Sequence, residues 1–110
     1  MATAEYTIFL LQEAEHDLAQ IADYLIRHAS LNEAEAIIEK IRARVHALAE
    51  FPLRGGVPAE LEEVGNRDYR QLLVSRYRII YRVLDNSVFV MMIADGRRDM
   101  RTLLRRRLLA

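Results

Sequence analysis

The fold of this 110-residue chain is decided by two neighbouring segments, Arg76-Tyr-Arg-Ile-Ile-Tyr-Arg-Val83 and Ser87-Val-Phe-Val-Met-Met-Ile-Ala94. Successive side chains of a strand point to opposite faces, so Tyr77 and Ile79 share an apolar face and Arg78 and Arg82 share the other. Between the segments, Asp85-Asn86 tolerates the positive φ angles of a two-residue hairpin turn. We therefore predict a hairpin of strands 77–84 and 87–94, with arginines on one face.

Helical periodicity dominates the first half of the chain. Apolar residues recur at the spacing of one helix face over residues 13–27, and again after Ser30-Leu-Asn-Glu33, which has the pattern of a capping box. The second helix should end before Pro52, and the short connection makes the pair an antiparallel hairpin. Residues 52–67 predict an irregular connection with a helical turn at 59–64.

Two further strands complete the expected sheet. Residues 69–74 form one, and residues 6–11 form the other, which we expect to be paired centrally or covered on both faces because neither parity is polar. The sequence thus predicts one α+β domain, residues 1–110, in the order β-α-α-β-β-β. In it a helix hairpin packs on a twisted antiparallel sheet, and residues 100–109 add a short C-terminal helical segment.

Charge is divided unevenly along a chain whose net charge is zero. Residues 1–63 carry 12 acidic and 5 basic side chains, and residues 64–110 carry 4 acidic and 11 basic side chains, which gives net charges of −7 and +7. A basic face of this kind suits an acidic partner or a polyanion.

Composition excludes several classes of site. The absence of cysteine excludes disulfides and thiolate zinc sites, and the scattered histidines predict no metal site; we also expect no cofactor. The first residues lack the basic region of a signal peptide, and no apolar run is long enough to span a membrane. We therefore expect a cytoplasmic protein.

Three motifs stand out along the chain: Tyr77-Arg-Ile-Ile-Tyr-Arg-Val83, Gly96-Arg-Arg-Asp99 and Leu48-Ala-Glu-Phe-Pro52. Together with the order of the predicted elements, these motifs resemble the RelE/ParE superfamily of toxins from bacterial type II toxin-antitoxin modules. The resemblance spans nearly the whole chain. It implies a small toxin held inactive in a hetero-oligomer by a cognate antitoxin, whose carboxy-terminal segment wraps it.

Two targets divide this superfamily. RelE-type members are ribosome-dependent mRNA endoribonucleases, whereas ParE-type members bind DNA gyrase and trap it on cleaved DNA. The nuclease pattern is matched here by Arg78 and Arg98, but the second strand offers Arg70 in place of lysines, and Leu104 replaces an aromatic hydroxyl. RNA cleavage needs a base and an acid as well as charge stabilisation, and arginine supplies mainly the last.

The leading hypothesis is therefore a ParE-like toxin that inhibits gyrase by binding, without a hydrolytic site of its own. A ribosome-dependent endoribonuclease using Arg78 and Arg98 stays open as an alternative, as does a non-toxic remnant that only binds antitoxin. The expected target-binding residues are Arg78, Arg82, Arg97, Arg98 and Arg101. The expected antitoxin-binding residues are Leu18, Ile21, Leu25, Arg70 and Arg82. Arg78 and Arg82 could instead belong to a solvated face, paired with acidic neighbours.

Overall fold

A computed structural model describes residues 5–109. The expected domain bounds of 1–110 and the expectation about the first residues therefore lie partly outside the described residues. The elements follow the predicted order: β1 (Thr7–Leu10), α1 (Gln12–His28), α2 (Leu31–His46) with a 3₁₀ turn (Ala47–Ala49), α3 (Ala59–Glu62), β2 (Arg70–Val74), β3 (Tyr77–Leu84), β4 (Ser87–Asp95), α4 (Met100–Leu104) and a π-helical turn (Arg105–Leu109). Within residues 5–109, no helix is both long and apolar enough to cross a membrane.

Local sequence signals explain how the helix hairpin forms. Glu13 and Glu15 lie in the first turn of α1, where carboxylates favour the helix dipole. The hydroxyl of Ser30 accepts a hydrogen bond from the backbone N–H of Glu33 at 3.0 Å, which confirms the predicted cap of α2.

The sheet has the strand order β1-β4-β3-β2 and is mixed. Strands β2, β3 and β4 form the predicted antiparallel meander, and Asp85 takes the positive φ of the β3–β4 turn, 53°. The expectation of a wholly antiparallel sheet is wrong for β1, which pairs parallel to β4. A crossover connection separates the two strands and so permits the parallel pairing.

Contrary to expectation, strand β1 is neither central nor covered on both faces, because it lies at the edge of the sheet and its outer face is open at Phe9. The residues on the two faces of β1 are apolar for different reasons. Ile8 and Leu10 pack against the core beneath the helices, while Phe9 stacks on Phe89 on the other face and remains 45% exposed.

Each face of the sheet carries its own apolar cluster. The inner face packs against α1 and α2 through residues that include Leu18, Ile41, Ile79, Tyr81 and Val90. The outer face is partly covered by α3 and α4, and its cluster includes Leu61, Tyr69, Ile80, Met92, Leu103 and Leu104. A register shift at Ile80/Tyr81 leaves Met91 as an extra residue in β4, so this strand bulges at Met91.

Candidate functional site

Arg78 is held in an intramolecular ion pair on the outer face. Its guanidinium donates to both carboxylate oxygens of Glu60 at 2.7 and 2.8 Å and to the side-chain oxygen of Gln71 at 2.7 Å. Only 12% of the Arg78 side chain and 20% of the Glu60 side chain are exposed. The hydrogen bonds from Arg78 lower the pKa of Glu60 to about 2. In this conformation Arg78 fastens α3 to β3 and is not presented on an open surface.

Arg70 and Arg82 are also engaged within the chain. Arg70 donates to the backbone carbonyls of Gly55 at 2.7 Å and Leu53 at 3.3 Å. The guanidinium carbon of Arg82 lies 5.8 Å from the centre of the Tyr69 ring, at cation–π distance. Arg70 therefore stabilises the loop before α3, while Arg82 remains half exposed.

Tyr81 anchors the same loop, a role that the sequence did not reveal beyond placing Tyr81 in the core. Its buried hydroxyl accepts from the N–H of Gly55 at 2.9 Å and donates to the carbonyl of Pro52 at 2.8 Å. Burial raises the pKa of this phenol. Gly55 is required because a Cβ there would lie 2.2 Å from the backbone oxygen of Gln71.

The segment after β4 carries three exposed arginines, and hydrogen bonds hold its backbone in place. The N–H of Gly96 donates to the carbonyl of Arg76 at 2.7 Å, and Asp99 caps α4 by accepting from the N–H of Thr102 at 3.2 Å. Between these anchors lie Arg97 and Arg98, and Arg101 follows in the first turn of α4. We name Arg97, Arg98 and Arg101 the arginine rim.

The three rim arginines differ in how they are paired. Arg97 donates to the carboxylate of Asp95 at 2.9 Å, and this interaction holds the pKa of Asp95 below its ordinary value. Arg101 donates to Glu63 at 2.7 Å. Both guanidinium groups remain largely exposed, at 68% and 65%. Within residues 5–109, Arg98 makes no ion pair, so its charge is available to a partner.

A cleft of about 330 Å³ opens between α1 and the end of β4. Arg76, Arg97 and Arg98 contribute its cationic side, and Ile21 and Tyr24 of α1 contribute its apolar side. Arg98 is thus placed beside α1, whereas Arg78 lies on the outer face against Glu60. Of the two arginines expected to act together in a nuclease, Arg78 is therefore paired with Glu60, and Arg98, unpaired among the described residues, lies at the cleft.

Leu104 occupies the position where the nuclease pattern has an aromatic hydroxyl. It is 1% exposed and packs in the outer cluster with Leu61 and Met100. The terminal segment therefore uses this position for packing on the sheet. The apolar side chain of Leu104 supplies no proton donor for RNA cleavage.

The expected antitoxin-binding leucines of α1 are buried in this conformation. Leu18 and Leu25 are only 3% and 7% exposed, because they lie on the helix face that packs inward. They offer little surface to a peptide here, and antitoxin binding through them stays a prediction. Ile21 is half buried and reaches the cleft.

An apolar groove of about 400 Å³ lies on the outer side of the helix hairpin instead. Ala22 and Ile26 of α1 and Leu31 and Ile38 of α2 line it, with Glu35 and other charged residues at its rim. Ile26 and Leu31 are 46% and 57% exposed. Exposed apolar residues clustered in this way mark an interaction surface.

Asp17 links three elements, α1, β4 and the terminal turn. It accepts from the backbone N–H of Ile93 at 2.9 Å and from the guanidinium of Arg107 at 3.0 and 3.1 Å. Arg107 also donates to the carbonyl of Met91 at 3.2 Å. The pair satisfies backbone groups at the β4 bulge, a feature with no local signal in the sequence.

Solved structures share this fold at low sequence identity. The chromosomal ParDE system from P. aeruginosa gives a TM-score of 0.70 at 18% identity, covering 84% of this chain and 98% of that chain. The RelBE2 toxin-antitoxin complex from Mycobacterium tuberculosis gives 0.60 at 20% identity, covering 86% and 94%. A mutant of the E. coli toxin RelE in the free state gives 0.61 at 13% identity, covering 90% and 92%.

Sequence comparison is more specific. Among curated proteins, none matches the chain. The family model described as the ParE toxin of the type II toxin-antitoxin system parDE matches residues 8–100, which span every element from β1 to the start of α4. The resemblance inferred from the sequence is thereby confirmed, and the chain belongs to the ParE toxin family of type II toxin-antitoxin systems.

Proposed function

We propose that this toxin stops growth by binding DNA gyrase through the arginine rim, and that a cognate antitoxin holds it inactive. The observation that carries the proposal is the rim itself. Arg98 makes no ion pair among the described residues, and Arg97 and Arg101 are exposed beside it. The base of the segment is fixed by the hydrogen bonds of Gly96 and Asp99, so little ordering entropy opposes binding.

Electrostatic matching explains how such a rim would act on an acidic target. Guanidinium groups form paired hydrogen bonds with carboxylates and phosphates. Arg101 and Glu63 form a solvent-exposed pair that contributes little stability. Arg97 keeps 68% of its side chain exposed, although its partner Asp95 is only 21% exposed. A target carboxylate can therefore replace Glu63 at small cost and approach Arg97 from its exposed side, and complementary charge also speeds association.

The surroundings of Arg78 and Leu104 favour a binding function over RNA cleavage. Arg78 is paired with Glu60, and Leu104 is buried in the outer cluster. A guanidinium group carries N–H donors and no acceptor, so neither Arg78 nor Arg98 is suited to remove a proton from a ribose hydroxyl.

Purified components test the proposed target. Toxin freed of antitoxin is incubated with DNA gyrase and supercoiled plasmid, and trapped cleavage complexes are counted as linear DNA after protein removal. In parallel, a translating extract is examined for mRNA cleavage. We expect linear DNA and intact mRNA. Codon-specific mRNA cleavage that Arg98→Ala abolishes would overturn the proposal.

The apolar groove of the helix hairpin supports the antitoxin part of the proposal. An amphipathic helix binds such a groove through apolar residues spaced along one face. Ile26 and Leu31 are the exposed anchors that a helix would cover. Acidic residues elsewhere in the antitoxin would meet the basic carboxy-terminal half.

A pull-down with the co-encoded antitoxin tests this groove. Ile26→Asp should weaken antitoxin binding strongly, since it places an unpaired charge in an apolar contact. Leu73→Asp is the matched control, because Leu73 is 59% exposed on β2 and does not line the groove. Equal retention of antitoxin by both variants and the parent would contradict the groove as the binding site.

A further inference from the structure

Four planar side chains form a row across the outer face of the sheet, one from each strand or its flank. Phe9 of β1 is the register partner of Phe89 in β4, and Arg82 of β3 is the partner of Phe89 on the other side. The two phenyl rings stack with centroids 5.3 Å apart and planes 15° apart. Arg82 then lies over Tyr69, 5.8 Å from its ring centre. We name these four residues the outer ladder.

The outer ladder is open to solvent where α4 does not reach. α4 covers Ile80 and Met92 in the neighbouring rows, but Phe9 is 45% exposed, and Phe89 and Arg82 are half buried. In the described chain the sheet ends at β1, so no strand lies against the far side of Phe9. The ladder thus ends in an aromatic ring that can accept another planar group.

Cations accompany this aromatic surface. Within residues 5–109, Arg82 makes no ion pair, and neither do Arg105 and Arg106. Arg105 and Arg106 are exposed on the terminal turn, whose neighbour Leu108 packs in the outer cluster. On the outer face of the described chain, the phenylalanine stack lies beside the unpaired guanidinium group of Arg82, and an aromatic ring with a neighbouring cation is the combination that binds single-stranded nucleic acid. Arg105 and Arg106 add positive charge on the terminal turn.

We propose that the outer ladder binds single-stranded nucleic acid, with an unpaired base stacked on Phe9 and backbone phosphates contacting Arg82 and the terminal arginines. A second copy of the chain fits less well, because a two-fold contact would set the same positive charges against each other. Duplex DNA fits less well too, because its bases are already stacked. None of these residues belongs to the arginine rim, so this proposal stands or fails independently of gyrase binding.

Fluorescence anisotropy with a labelled oligothymidylate of about 12 nucleotides tests the proposal on the full-length toxin. The single strand should bind more tightly than a duplex of equal length, and its affinity should fall as salt rises from about 50 to 200 mM. Phe9→Ala should weaken binding about tenfold, and Arg82→Gln should weaken it and reduce the salt slope by about one.

Two matched controls separate the ladder from general surface effects. Phe51→Ala removes a phenylalanine that is 58% exposed on the loop after α2, and Arg27→Gln removes an exposed charge from α1. Both should leave the affinity within about twofold, by the small effect expected of surface changes. Equal effects of Phe9→Ala and Phe51→Ala, or equal affinity for single strand and duplex, would overturn the proposal.

A fluorescent variant provides a direct test of stacking. The chain contains no tryptophan, so Phe9→Trp introduces a single reporter at the open end of the ladder, and Phe51→Trp does so elsewhere. Added oligothymidylate should quench the first and leave the second unchanged. Absence of quenching in a folded Phe9→Trp protein would also contradict the proposal.

Discussion

Glu60→Gln tests whether Arg78 stabilises the fold, as the structure indicates, or serves a target. The carboxylate of Glu60 receives two hydrogen bonds from Arg78 in a pair that is mostly buried. Glutamine keeps the shape of the side chain, but it has no charge and only one acceptor oxygen. The substitution therefore leaves a partly buried guanidinium without its counter-charge.

The pKa of Glu60 sets the size of the expected effect. Its decrease from 4.5 to about 2 corresponds to an upper limit of about 3 kcal/mol in the free energy of unfolding. Solvent at the exposed edge of the pair weakens the interaction, so we expect a loss of about 1–2 kcal/mol at neutral pH. In a domain of this size the midpoint of thermal unfolding should fall by about 5–10 °C.

The lowered pKa of Glu60 also determines how the stability difference between parent and Glu60→Gln changes with pH. A carboxylate whose pKa is lowered by folding stabilises the protein fully above its unfolded pKa of 4.5, and this contribution is lost as the pH falls towards about 2. Urea unfolding followed by circular dichroism should therefore show that parent and Glu60→Gln converge as the pH is lowered below about 4.

A matched control is available on the same short helix. Glu62 pairs with Arg67, but 54% and 65% of their side chains are exposed, so Glu62→Gln should change the free energy of unfolding by less than about 0.5 kcal/mol. Equal stability of Glu60→Gln and Glu62→Gln at neutral pH would refute the structural role of Arg78. A folded Arg78→Gln protein that had lost all toxicity would point to the target-binding role instead.

Four further substitutions have clear expected results in urea unfolding. Gly55→Ala should destabilise the protein by about 2 kcal/mol or more, because the new Cβ would lie 2.2 Å from the backbone oxygen of Gln71. Gly56→Ala is its control. A Cβ at Gly56 would have no atom within 4 Å, so this substitution should cost less than about 1 kcal/mol. Asp17→Asn should cost about 2 kcal/mol and speed proteolytic release of the terminal segment, because it breaks a mostly buried ion pair. Ser30→Ala should cost about 1 kcal/mol through loss of the cap of α2.

Most of the fold could be predicted from local patterns. The capping serine, the helix stripes and the two-residue turn act over a few residues, and each predicts an element that the structure contains. The position of β1 could not be predicted in this way. Its alternating faces are both apolar for different reasons, a core contact for Ile8 and a ring stack for Phe9, and periodicity does not distinguish these.

The candidate site was less predictable, because its residues are joined by long-range contacts. Strand parity placed Arg78 on the outer face, but only the folded chain brings Glu60, 18 residues earlier, against it. The link between Asp17 and Arg107 spans 90 residues and depends on the bulge in β4. The exposure of Arg97 and Arg98 could be predicted because they follow Gly96 at the end of a strand, which is a local signal.

Dependence of toxicity on the arginine rim is the central claim, and growth arrest in cells tests it most directly. The parent is compared with a variant carrying Arg97→Ala, Arg98→Ala and Arg101→Ala, and with a control that removes three exposed charges from the helix hairpin through Arg27→Ala, Lys40→Ala and Arg42→Ala. We predict that all three fold, that the parent and the hairpin variant arrest growth with double-strand DNA breaks, and that the rim variant does neither. A rim variant that stops growth as well as the parent would contradict the account.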